Sequence, residues 1–421
     1  MKKLILILIV FLTIGSANAQ WNTIYSDTNS YYSIYFPSKN IGYAVGERLY
    51  SGGIIIKTND AGLTWSNPSD VSFRTLESVY FLDSINGFAV DLLGAIYKTT
   101  DGALTWTQIY TVDISLEFNF YSIYFINANK GFAVGIDESP FYFYDWKALI
   151  LSTNDGGSTW TKEEFPSGGI FTSVFFPDTN TGYIVGTGGV ILKSIDCGTN
   201  WTILNTSLPP LNSAYFINDN LGYVVGNYGK IYKTIDGGSN WISQNTDSMY
   251  FDTLYNLEPI NLQSVYFTDA THGFIVGYVD YPYCYGVILR TNDGGTTWVS
   301  QTLTNENYFS SVYFTSQDTG YITSYWGKIL KTTDGGGTWL KANNLINNTS
   351  IYPNPSSNSI TIDTKSNTKQ TFEIVNQYGQ TMNSYIINSK TTIDISHFPK
   401  GIYILKQDTD KGIVAKKFIK E

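Results

Sequence analysis

TNDAGLTW at Thr58–Trp65 and TTDGALTW at Thr99–Trp106 open a series of seven related octets. The others are TNDGGSTW at Thr153–Trp160, SIDCGTNW at Ser194–Trp201, TIDGGSNW at Thr234–Trp241, TNDGGTTW at Thr291–Trp298 and TTDGGGTW at Thr332–Trp339. In each an Asp precedes a Trp by five residues, with small residues between them. Self-similarity at a period of roughly 40 residues marks a solenoid, a propeller or an array.

Upstream of each octet lies a strand-like run with Ser in a fixed place, at Ser33, Ser78, Ser122, Ser173, Ser213, Ser264 and Ser311. Six residues beyond the last Phe of each run comes Gly plus an aromatic, from Gly42-Tyr43 to Gly320-Tyr321. Two further strand-like runs complete each unit, one on either side of the octet turn. The chain is 16% aromatic with 33 Tyr, a composition that packs well on pleated surfaces. The predicted class is all-β: a seven-bladed β-propeller followed by a small β-sandwich.

In an antiparallel blade the inner–second and third–outer turns leave on one face, and the other connections leave on the opposite face. The octets and the inner–second turns keep one length throughout. From the fixed Ser to the octet Asp is 23 residues in four blades but 27, 33 and 29 in the first, third and sixth. From each Trp to the next Ser is 12 or 13 residues, except 16 before Ser122 and 23 before Ser264. All of this variation falls on the face away from the octets, here called the top, where insertions in repeat arrays build binding surfaces.

Residues 1–19 read as a secretory signal: Lys2 and Lys3, an apolar run, and Ala17-Asn18-Ala19 at a cleavage site. The propeller is expected over 20–341, a polar linker over 342–350 and the last domain over 351–421. Either the strand from Trp21 or the segment after Trp339 closes the ring by completing the outer edge of the last blade. Strands are expected in the last domain at Ser359–Asp363, Phe372–Asn376, Ile393–Ile395, Ile402–Lys406 and Ile413–Ile419. Cys197 belongs to an octet and Cys284 to a top-face insertion, too far apart to bridge. Net charge is −9 with three Arg, which argues against a nucleic-acid partner. No second long apolar stretch suggests a transmembrane anchor, and a monomer is expected.

The octet chemistry is local. An Asp opening a tight turn accepts N–H groups two and three residues on, Gly supplies positive φ, a Thr hydroxyl reaches the carboxylate, and the Trp packs beneath. Asp60, Asp101, Asp155, Asp196, Asp236, Asp293 and Asp334 are therefore structural, with Asp101 the weakest because Ala103 replaces a Gly. These octets resemble the Asp-box, or BNR, repeat of sialidases and sortilin-type receptors. The fuller unit GYVVGNYGKIYKTIDGGSNW (Gly222–Trp241) is similar to the repeat of the photosystem II assembly factor family of plants and cyanobacteria. The resemblance spans about Ser33 to Trp339 and implies the fold, not a photosynthetic role.

The tail resembles the type A sorting domain of the type IX secretion system of Bacteroidota. It matches in Ile351-Tyr352-Pro353-Asn354-Pro355, EIVNQYGQ (Glu373–Gln380), IDISHFPKGIYIL (Ile393–Leu405) and the Lys-rich end. That resemblance implies the type IX machinery as a partner and a secreted or surface destination after signal-peptide export to the periplasm.

A sialidase needs three converging arginines. Arg48 and Arg74 reach the top, but Arg290 sits beside an octet. Only His272 and His397 exist, so no histidine triad, metal site or cofactor is expected. A glycoside hydrolase or lyase needs only two carboxylates, and Glu47, Asp91, Asp137, Glu138, Asp252 and Asp280 are top-face candidates. The insertions carry aromatics instead: Tyr142, Tyr144 and Trp146, Tyr281, Tyr283 and Tyr285, and Tyr250. Such rings suit sugar faces or protein hot spots. The favoured reading is a non-enzymatic propeller that binds a glycan or protein with these residues, Arg48 and Arg74. The alternative is a hydrolase or lyase with a top-face carboxylate pair.

Overall fold

The computed structural model describes residues 21–49, 52–68, 74–112, 118–138, 146–165, 169–204, 208–244, 260–279, 285–303, 308–336, 349–364, 369–376, 381–409 and 412–421. Among these there is no helix, and none long and apolar enough to cross a membrane. The chain divides into two compact units, Met1–Gly337 and Thr338–Glu421.

In the first unit each repeat folds as an antiparallel meander. The third blade is typical: Phe118–Phe125, Gly131–Asp137, Lys147–Thr153 and Thr161–Phe165, hydrogen-bonded in that order. The second strands are buried on both faces, as in Tyr43–Val45 and Tyr183–Val185, because neighbouring blades cover them. In the first blade the fourth strand shrinks to a bridge between Lys57 and Ser66.

Ring closure is resolved. Asn22–Ser26 pairs antiparallel with Lys328–Thr332 and supplies the outer strand of the seventh blade. Trp21 stands edge-on to Phe274 and Phe314, with centroids 6.4 and 5.8 Å away. Trp201 holds the same relation to Phe132 and Phe176 in the fourth blade, at 5.9 and 5.8 Å. The start of the chain thus provides the indole that an octet provides elsewhere.

The repeated residues become inter-blade contacts. The aromatic after each Gly stacks on the inner-strand Phe of the next blade, as Tyr43 does on Phe81 at 3.7 Å and Tyr321 on Phe36 at 4.1 Å across the closure. Such pairs are worth about 0.5–1.5 kcal/mol each beyond their burial. The fixed Ser bridges inner strands: Ser122 Oγ accepts from Val174 N at 3.2 Å, and Ser264 Oγ from Val312 N at 3.2 Å. The third-strand Lys crosses too, Lys233 Nζ donating to Gly294 O at 2.7 Å.

The second unit is a sandwich. Ser350–Tyr352, Ser359–Asp363 and Lys390–Asp394 form one sheet, and Thr381–Ile387, Gln370–Asn376, Gly401–Thr409 and Gly412–Lys420 form the other. Ile360, Ile362, Phe372, Ile374, Leu405 and Phe418 fill the space between. Two strands escaped the sequence reading. Ser350–Tyr352 is short and lies at the linker boundary, and Thr381–Ile387 buries only Ile387 along its length.

Candidate binding face

The bottom face is a ring of self-satisfied turns. In the first octet the Thr58 hydroxyl donates to Asp60 Oδ1 at 2.7 Å and accepts from Gly62 N at 2.8 Å. Asp60 then accepts from Thr64 N at 2.8 Å and from the Thr64 hydroxyl at 2.6 Å. The acceptor pattern differs from the expected one. The N–H two residues beyond the Asp goes to the opening Thr, and the residue four beyond supplies the main donors. Two successive left-handed residues cause this, for example Ala61 at φ 58° and Gly62 at φ 83°. Asp101 is not a weakened copy. Ala103 adopts φ 72°, and Thr105 N and Oγ1 still donate to the carboxylate. These hydroxyl and N–H donors hold Asp60, Asp155 and Asp196 down to about 2. Asp236 and Asp293 repeat the contacts, and Asp334 takes the hydrogen bond of Thr332 at 2.7 Å. Each carboxylate is consumed by its own turn. Cys197, at φ 60° in its octet, is a free thiol that donates to Asn180 Oδ1. Cys284 lies outside the described residues.

At the top, Trp146 precedes the third strand of its blade and is 41% exposed. Tyr285 opens the third strand of the sixth blade and packs, partly buried, on its core. Arg48 ends a second strand, partly exposed. Arg74 is exposed and lines a hollow with Asp91, Tyr97 and Gln108. Tyr142, Tyr144, Tyr250, Tyr281 and Tyr283 lie outside the described residues, as do Asp252 and Asp280.

The candidate carboxylates are mostly engaged. Asp91 is fully buried and accepts from Leu93 N, Ala95 N and Tyr97 Oη at 2.8–3.0 Å, so it staples its own turn. Asp137 pairs with Lys162 at 3.3 Å, and Lys147 pairs with Glu164 at 2.7 Å. Glu47 accepts from Tyr32 Oη at 2.7 Å.

Sequence reasoning missed two sets of top-face residues. Tyr228 and Trp326, 55% and 57% exposed, sit on short second–third turns. With Trp146 they are the exposed Trp and Tyr side chains among the described propeller residues, whereas the octets expose Leu63, Leu104, Ile195 and Ile235. The second set lines the axis. In every blade a bulge in the inner strand inserts one residue just before the fixed Ser. A bulge leaves its extra residue unpaired and re-aims the side chain. The seven are Tyr32, Glu77, Tyr121, Thr172, Asn212, Gln263 and Ser310. Three of them cross to the next inner strand: Thr172 donates to Leu211 O at 3.0 Å, Asn212 to Leu262 O at 2.8 Å and Ser310 to Tyr31 O at 2.6 Å. The column was legible as the most variable position of the run, the residue just before the fixed Ser.

Below this ring the channel is lined by a girdle. Tyr35, Tyr80, Tyr124, Phe175, Tyr215, Tyr266 and Tyr313 touch in an unbroken circle, with neighbouring centroids 4.9–5.9 Å apart. Above it Tyr32 and Tyr325 lie 5.2 Å apart, and Tyr308 rests between Tyr278 and Tyr325. Glu77 stands among them. Burial and the charge of Glu47 push its carboxyl up to about 8.

The sequence matches the model of the photosynthesis system II assembly factor YCF48 over residues 108–258 and 246–348. The chain belongs to this family. Residues 350–421 match the secretion system C-terminal sorting domain, so this YCF48-family propeller travels by type IX secretion to the cell surface or beyond. A comparison with curated protein sequences returned no match. Among solved structures, YCF48 bound to D1 peptide superposes with a TM-score of 0.56 at 21% identity, covering 74% of this chain and 96% of that one. PorZ, an essential bacterial surface component of the type IX secretion system of Porphyromonas gingivalis, gives 0.55 at 14%, covering 93% and 59%. The GH74 xyloglucanase of Xanthomonas campestris gives 0.55 at 10%, covering 95% and 67%. At these identities the likeness is one of fold.

Proposed function

We propose that the protein is a non-enzymatic binding propeller that engages a glycan or protein with its top face. In this reading residues 1–19 direct export to the periplasm, 20–341 are the cargo, 342–350 the linker and 351–421 the sorting domain. The observation that carries the reading is the exposure of Trp146, Tyr228 and Trp326 on second–third connections of the third, fifth and seventh blades. Exposed Trp and Tyr present an apolar face with a polar handle, suited to sugar faces and protein hot spots. In this reading the aromatics that the sequence puts on the insertions, Tyr142, Tyr144, Tyr250, Tyr281, Tyr283 and Tyr285, contribute to binding together with Arg48 and Arg74.

The test uses an immobilised panel of polysaccharides and synthetic peptides. Trp146→Ala combined with Trp326→Ala weakens every detected partner at least tenfold; unchanged affinity discards the reading. Turnover of any polysaccharide that is lost in Glu47→Gln establishes the hydrolase alternative instead.

A further inference from the structure

Of the seven bulge residues around the axis, six carry a group able to donate a hydrogen bond. Glu77, once ionised, cannot. Thr172, Asn212 and Ser310 use that donor to join adjacent inner strands, a task an ionised carboxylate facing backbone carbonyls cannot perform. Among the described residues no Lys, Arg or hydrogen-bond donor partners Glu77. The charged neighbour it feels is another carboxylate, Glu47. It holds the inner-strand bulge position of the second blade, in the axial column between Tyr32 of the first and Tyr121 of the third. Ionising a half-buried carboxyl beside a like charge is costly, so Glu77 keeps its proton until a counter-charge arrives.

We propose that Glu77, with Glu47 beside it and Tyr32, Tyr121 and Tyr325 as walls, receives the primary ammonium of a lysine side chain offered by a protein partner. The inference rests on the top face being the binding face. Two carboxylates and a ring of phenols supply charge and π-faces, the two features that attract a cation. The described residues contain no group of three His, Cys, Asp or Glu able to hold a metal ion, so an organic cation fits better than a divalent one. The girdle at Tyr80 lies three residues further along the same strand, about 10 Å at strand rise. A compact ammonium with three donors can bond both carboxylates at once, whereas the planar fork of a guanidinium matches one.

Entry of the ammonium displaces the proton that Glu77 holds at neutral pH. Glu47 and Tyr32, Tyr121 and Tyr325 face this group, and Glu138 reaches Tyr121. The phenols stay neutral throughout, since burial raises each above its ordinary value. Affinity therefore rises with pH up to about 8 and levels off above it.

Pentylammonium chloride, a mimic of the lysine side chain, is titrated calorimetrically into the full chain, with 1-pentanol as the neutral control. Pentylammonium binds at least tenfold more tightly than the alcohol at pH 8.5, and about 25-fold less tightly at pH 6.5 than at pH 8.5. Soaked crystals show it between Glu77 and Glu47. Glu77→Gln, checked for an unchanged circular dichroism spectrum, removes the preference over the alcohol. Equal binding of alcohol and ammonium, an unaltered Glu77→Gln, or a calcium ion in the site overturns the proposal. So does competition by a glucosamine trimer but not by a lysine peptide. Leu104→Ser, on the octet face, leaves pentylammonium binding intact. Loss of panel binding in the rim variant without any ammonium site sinks this inference alone, while the top-face reading stands.

Discussion

The two faces of this propeller are built from the same seven repeats and spend their carboxylates in opposite ways. On the bottom, each octet Asp accepts from the hydroxyl that opens its own turn, six of them also from an N–H shown within it. In five blades a Lys stands beside the octet, as Lys233 does where it latches the next blade. On the top, Glu77 finds no donor among the described residues and has a like charge for a neighbour. A satisfied, repeated carboxylate is a fastener. An unsatisfied one that occurs once is where a ligand adds something the protein lacks.

The largest break in this comparison comes at the closure. Trp21→Ala empties the indole site between Phe274 and Phe314 and removes the anchor of the seventh blade's outer strand. A loss of about 3–5 kcal/mol is expected from chemical denaturation. A loss near zero would mean that the N-terminal strand does not close the ring.

A smaller effect tests the octet. The buried Thr153 hydroxyl serves both Asp155 and Gly157 N, at 2.8 and 2.9 Å. Thr153→Val strands that N–H and costs about 1–3 kcal/mol. Binding by the top face is expected to persist in the folded fraction.

The gentlest probe is pH. The octet carboxylates have depressed values, so their stabilisation is complete above the ordinary 3.8 and fades as pH falls toward about 2. Glu77 works the other way. Its folded value near 8 against an ordinary 4.5 means the unfolded chain releases the proton first, so the fold loses stability as pH rises from about 4.5 to 8. Glu77→Gln therefore raises the melting temperature at pH 9 and leaves it unchanged at pH 4. A gain at both values would point to packing rather than charge.

Much of this was readable from the octets. Their Asp–Trp spacing counted the blades, their constant length marked the bottom, and the insertions marked the top. The closing strand stayed open because two segments carried equivalent patterns, and only pairing with Lys328–Thr332 decided between them. The candidate site was less legible. Tyr228 and Trp326 sit in turns of ordinary length, so no insertion flagged them. Glu77 stands in a run read as a strand of fixed pattern, where a bulge invisible to alternation turns the residue before Ser78 toward the axis. Asp91, chosen from sequence for its place on the top, proved to be a turn staple.

The central claim is that binding belongs to the top face. It is tested most directly by two multiple variants on one panel of glycans and peptides. Trp146→Ala, Tyr228→Ala and Trp326→Ala strip the top, while Leu63→Ser, Leu104→Ser and Ile235→Ser strip the bottom. The account expects the first to lose binding at least tenfold with a melting temperature near that of the parent, and the second to bind as the parent does. Loss in the bottom variant with full binding in the top variant would contradict it.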